Sequence, residues 1–123
     1  MKKVLVIDDD ETLTMVLVET LEMLGFETLT AADGATGIET AVTQAPDLIL
    51  CDVSMPSMDG FETLQRIRET PSISKIPFVL CSGFSDQATR QKALKLGATD
   101  VVGKPVAVSD LLSMLNLHLK AAA

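Results

Sequence analysis

Four short stretches carry side chains fit for chemistry. They are Asp8-Asp9-Asp10 after the apolar run Val4–Ile7, Asp52 after Leu48–Cys51, Ser82 after Phe78–Cys81, and Lys104 after Gly103. Clustered carboxylates repel and raise one another's pKa unless a cation lies among them. A ligand set of oxygen alone, with neither histidine nor thiolate beside it, suits a hard ion such as Mg2+. A carboxylate next to such an ion and a lysine is set up to attack phosphorus. The metal and the ammonium then offset charge on the phosphoryl oxygens.

That chemistry requires the four stretches to meet, so the elements that carry them decide the matter. Val4–Ile7, Leu48–Cys51 and Phe78–Cys81 are short continuous apolar runs, the pattern of strands covered on both faces. Phe26–Ala31 and Asp100–Val102 read as two further strands. Between them, helical spacing is predicted with apolar faces at Leu13, Val16, Leu17, Leu21 and Leu24, then at Ile38, Ala41 and Val42. It recurs at Phe61, Leu64 and Ile67, through residues 86–96, and at Leu111, Leu112, Leu115 and Leu119. Gly25 and Gly97 stop helices, Ala45-Pro46 ends another, and Ser109 is the expected N-cap of the last.

Strands alternating with helices give an α/β class, a doubly wound three-layer sandwich of (βα)5 type around a parallel sheet. In such sheets sites form at the C-terminal ends of strands. Asp8 and Asp9 end the first strand, Asp52 the third, Ser82 the fourth, and the fifth runs into Lys104. Contact with water explains any one polar strand end. It does not explain acids on the first and third strands with a lysine on the fifth.

The bulk properties narrow the setting. A length of 123 residues fits one domain with a proper core. A net charge of −7 argues against general binding to nucleic acid or an anionic membrane. The apolar run after Lys2-Lys3 is too short for a signal-peptide core, and no segment approaches the ~18 apolar residues of a membrane span. Two cysteines make no disulfide framework, so a reducing cytoplasm is expected.

The stretches "VLVIDDDE", "PDLILCDVSMPSMDG", "FVLCSG" and "LGATDVVGKPV", in that order and each at a strand end, resemble the receiver domain of bacterial two-component response regulators. The resemblance covers essentially the whole chain. It implies one receiver domain over residues 1–123, no output domain in this chain, and a five-stranded parallel sheet in the order 2-1-3-4-5. It further implies that Asp52 accepts a phosphoryl group from a sensor histidine kinase or phosphotransfer protein. The signal would then pass to a downstream protein partner or output domain.

Carried over residue by residue, Asp9 resembles the direct Mg2+ ligand and Asp8 the neighbour that holds the ion through water. Asp52 and the Ser54 backbone carbonyl would complete the set. Lys104 would pair with one phosphoryl oxygen. Ser82 would bond another after phosphorylation and draw its loop inward. The Lys104-Pro105 peptide is expected to be cis.

One position departs from the family pattern. Three residues before the lysine the family usually places Tyr or Phe; here stands Val101, and the chain has no Tyr. The switch must then run through the loop after Ser82 and the fourth helix, or the usual surface change is lacking. Phe84 lies in that loop. The resemblance places Ser54 and Phe84 beside the route of attacking water, so a bulky Phe84 implies slow self-dephosphorylation, the only turnover expected besides self-phosphorylation.

Two other readings compete. Asp8-x-Asp10-x-Thr12 matches the motif of haloacid-dehalogenase-type phosphohydrolases, with Asp8 as nucleophile and Asp10 as general acid. That reading finds no acidic pair after Lys104 and leaves Asp52 without a role. The other is a receiver-fold interaction module without phosphoryl chemistry. Asp10 is itself expected to cap the first helix. His118, the only histidine, is read as a surface side chain near a helix C-terminus. Cys51 and Cys81 are read as small buried side chains, close together and facing away from the site, with a redox link as the alternative. Met55 and Met58 are expected to pack the loop after Asp52.

Overall fold

Hydropathy sorts the strands within the sheet. The computed structural model describes residues 1–83 and 87–119. Its elements are β1 (Lys3–Ile7), α1 (Glu11–Met23), β2 (Glu27–Ala31), α2 (Gly34–Gln44), β3 (Leu48–Asp52), α3 (Gly60–Glu69), a 3-10 turn (Pro71–Ile73), β4 (Phe78–Ser82), α4 (Gln87–Lys95), β5 (Asp100–Gly103) and α5 (Val108–Leu119). The strands are parallel in the order β2-β1-β3-β4-β5. The three continuous apolar runs take the centre, where both faces are covered, and the more polar β2 and β5 form the edges.

Alternation along each strand feeds two cores. Leu5, Ile7, Ile49, Cys51, Phe78 and Leu80 meet Ala41, Leu64, Ile67 and Ala93 on the side of α2, α3 and α4. Val4, Val6, Leu48, Leu50, Val79 and Cys81 meet Leu17, Leu21, Leu111, Met114, Leu115 and Leu119 on the side of α1 and α5. Aspartates cap three helices. Asp10, Asp33 and Asp59 accept from the N–H groups of Leu13, Thr36 and Glu62, each satisfying a donor that the first helical turn leaves open. Gly25, at φ 93, ends α1 where a side chain would be strained.

Several predicted contacts fall differently. Val16, Val42 and Leu112 are exposed, while Met114 is buried. On α2 the buried face is Gly34, Gly37 and Ala41. A Cβ at Gly37 would come within 2.4 Å of Ile7 Cδ1, so the helix needs glycine to lie this close to β1. Ser109 is not the N-cap of α5. The helix opens at Val108, and the Leu111 N–H donates to the Ala107 carbonyl one residue before it. No helix among the described residues is long and apolar enough to cross a membrane.

Candidate functional site

Pleat and register bring the acids together. The β1–β3 ladder pairs Val6 with Leu50 and Ile7 with Cys51, which makes Asp8 and Asp52 the next facing pair. Both continue the face of Val4, Val6, Leu48 and Leu50. Asp8 is fixed twice at its own turn. Its N–H donates to the Ala31 carbonyl at 3.0 Å, and its Oδ1 accepts from the Asp10 N–H at 2.9 Å. The second oxygen is thereby left for the site.

The opening run of aspartates thus divides by position. Asp8 is buried at the rim, Asp9 is exposed beside it, and Asp10 caps α1. One carboxylate oxygen from each of Asp8, Asp9 and Asp52 can lie within 4.8 Å of the others. Across them stands Lys104, whose Nζ is 2.9 Å from Asp52 Oδ1 and 3.3 Å from Asp8 Oδ2. β5 delivers it, because the Lys104 N–H continues the β4–β5 ladder by donating to the Ser82 carbonyl. Ser82 itself is buried at the end of β4. The Lys104-Pro105 peptide is cis, as expected.

The charges do not balance. Burial pushes the Asp8 carboxyl above its usual range, and the nearby Asp52 charge adds to this. The Asp10 N–H and Lys104 offset only part of it. For Lys104 burial acts downward, but its bond to Asp52 and the charges of Asp8 and Asp52 outweigh it, so its pKa is raised. One ammonium among three carboxylates leaves room for a further cation.

Residues 4–116 match the profile of the response regulator receiver domain. The chain belongs to that family. It is a phosphoacceptor signalling domain of the two-component type, and receiver domains interact with histidine kinases or phosphotransfer proteins. The alkaline phosphatase synthesis transcriptional regulatory protein PhoP of Bacillus subtilis is 35% identical over 98% of this chain; the chain spans 48% of that relative's length. The Vibrio cholerae chemotaxis protein CheY4 superposes with a TM-score of 0.92 at 32% identity, covering 97% of this chain and 99% of that one. The receiver domain of the Pseudomonas aeruginosa sensor histidine kinase PA1611, solved with a magnesium ion in its active-site cleft, gives 0.89 at 25% identity, each chain covered to 98%.

Of the sequence-predicted residues, the receiver brings Asp8, Asp9, Asp52, Ser82 and Lys104 to one rim. Ser54 is exposed in the loop after β3, and Val101 is buried in β5 on the α3–α4 side. Phe84 lies outside the described residues. Asp10 faces its own helix as a cap, which removes the general acid that a dehalogenase-type site would need.

Two expectations are corrected. Cys51 and Cys81 occupy opposite faces, because the β3–β4 register pairs Cys51 with Leu80 and Asp52 with Cys81. Burial pushes both thiols up, Cys81 to about 12, which leaves them protonated and inert, and the sheet between them blocks a redox link. His118 is no free surface group: its Nε2 lies 2.9 Å from Asp100 Oδ2.

Gly60 is a supporting residue that sequence reasoning missed. A Cβ there would come within 2.4 Å of the Asp52 carbonyl oxygen, and its N–H donates to the Val53 carbonyl at 2.8 Å. The signal was present in Asp59-Gly60-x-Glu62, an N-cap with an acid at the third helical position. Met55 and Met58 do pack the loop, Met55 against the core and Met58 against Gly34.

Proposed function

We propose that Asp52 is this receiver's phosphoacceptor, with a Mg2+ ion held by Asp8, Asp9, Asp52 and the Ser54 backbone carbonyl. The observation that carries this reading is the Lys104 ammonium set between Asp52 and Asp8 at the strand rim. The donor set fits the ion: three carboxylates, all oxygen, with surplus negative charge and a buried Asp8 that resists ionising alone. Bound there, Mg2+ supplies positive charge against the phosphoryl oxygens.

The chain's own residues do the rest. An Asp52 carboxylate oxygen forms a bond to phosphorus as the phosphorus–nitrogen bond of a kinase phosphohistidine breaks. The leaving imidazole keeps the electron pair and takes a proton from solvent. Lys104 gives up its hold on the carboxylate to pair with a phosphoryl oxygen, and the Ser82 hydroxyl donates to another. The donor is a sensor histidine kinase or phosphotransfer protein, and the altered surface is read by a downstream protein or output domain. The whole chain serves as one receiver unit. A cytoplasmic setting suits its two free cysteines.

Incubation with acetyl phosphate tests the metal and the transfer together. A mass gain of about 80 Da, one phosphoryl group, is expected with Mg2+. A gain that persists undiminished under a chelator would remove the metal from this account.

A further inference from the structure

Two helices on opposite faces of the sheet carry opposite charge. Helix α1 holds Glu11, Glu19 and Glu22 and no basic residue. Helix α4 holds Arg90, Lys92 and Lys95 and no acidic one, although the chain as a whole has a net charge of −7. Arg90 is engaged within the fold, its Nη2 lying 3.3 Å from Asp100 Oδ1. Lys92 lies 4.2 Å from the centre of the Phe61 ring, a contact that leaves its ammonium open to an anion. Neither lysine has an ion-pair partner among the described residues, nor has Glu19 or Glu22.

Each helix also shows apolar surface beside its charges. Met15, Glu19, Glu22 and Met23 are exposed at positions i, i+4, i+7 and i+8, so they form one strip along the outside of α1. On α4 a mostly apolar groove of about 630 Å3 runs past Ala88, Leu94 and Leu96, with Lys92 and Lys95 also lining it. The two features match. Glu19 and Glu22 are three residues apart, as are Lys92 and Lys95, so helices packed side by side set each glutamate against a lysine. The strip from Met15 to Met23 and the groove from Ala88 to Leu96 both run about 12 Å along their helices. Unbranched methionine side chains suit an irregular groove of this kind.

The helices belong to different cores on either side of the sheet, so they cannot meet within one molecule. We infer that α1 of one receiver seats in the α4 groove of a second copy, with Glu19 and Glu22 on Lys92 and Lys95. The contact leaves a groove open on the first copy and a strip open on the second. Association therefore runs head to tail and does not close as a symmetric pair. The net charge does not forbid it. At physiological ionic strength exposed charges farther apart than roughly 8 Å are largely screened, while groups in contact are not. The inference stands apart from the reading of Asp52.

Sedimentation equilibrium of the whole chain tests it. At physiological ionic strength the average mass should rise with concentration, with a Kd of about 0.5 mM for so small an interface. It should fall back to the monomer in about 1 M NaCl. Two charge-reversed variants, Glu19→Lys with Glu22→Lys and Lys92→Glu with Lys95→Glu, should each stay monomeric alone. All four side chains are exposed, so both variants should fold. Mixed in equal amounts they should associate again, because each reversed surface then meets its complement. A wild type that stays monomeric at about 1 mM would overturn the inference and leave the groove to an acidic helix of a different protein. Association that survives either reversal would place the contact elsewhere on the chain, and a mixture that stays monomeric would contradict the pairing of these four residues.

Discussion

At the rim of the sheet three carboxylates gather around one ammonium; at the other end of β5 one carboxylate is held by a guanidinium, an imidazole and a backbone N–H. The residue types are nearly the same and the charge balance is opposite. Burial drives Asp8 above the usual carboxylate range with too few donors to offset it. Burial pushes Asp100 the same way, but His118, the Val101 N–H and Arg90 outweigh it, and its pKa falls. The first cluster carries negative charge for which the fold gives no full answer, which is the property the proposed cation seat requires. The second has every oxygen answered, which suits a part that holds elements together.

The largest expected effect sharpens that contrast at Lys104. Lys104→Met leaves Asp8 and Asp52 buried without their ammonium and should cost about 3 kcal/mol of apo stability in urea melts, partial exposure of the amine keeping it at the low end. Gly60→Ala should cost about 2 kcal/mol, because neither the Asp52 carbonyl nor the Val53 backbone can easily give way. Asp8→Asn should do the reverse. By relieving repulsion it should stabilise the metal-free protein by about 1 kcal/mol while weakening Mg2+ binding. A loss of stability in that variant would show the rim to be as well satisfied as the Asp100 cluster.

The two clusters should also respond to pH with opposite sign. Asp8 has a raised folded pKa, so its contribution is present below the ordinary carboxylate value near 3.8 and is lost as pH rises through the folded value. Asp100 has a lowered one, so its contribution is present above 3.8 and is lost as pH falls through the folded value. Chelated protein melted across the acid range should show the first trend vanish in Asp8→Asn and the second in Asp100→Asn. The smallest effect belongs to Arg90→Gln, about 0.5 kcal/mol or less, since the Arg90 side chain is half exposed.

The rim was legible in the sequence because strand parity and strand-end position are local properties. Asp8, Asp52 and Ser82 could be placed from three apolar runs and the polar residues at their ends, and Lys104 from the short strand that runs into it. Asp10 was legible as a cap for the same reason. The Asp100 cluster was not, since Asp100 and His118 are 18 positions apart on different elements and meet only once α5 has docked. The two cysteines were misplaced because the β3–β4 register, offset by one from their matching strand positions, is set across a whole crossover. Helix faces were read to within a position or two. The wide apolar stripes of α1, α2 and α5 include edge residues such as Val16, Val42 and Leu112, and the glycines of α2 carry no apolar signal.

The central claim is that the self-repelling run after β1 serves a nucleophile on β3. The direct test is intact mass of wild type and Asp52→Asn side by side, each treated with acetyl phosphate and Mg2+. The account predicts a gain of about 80 Da on the wild type and none on the variant. Equal gains on both would place the phosphoryl group elsewhere and contradict it.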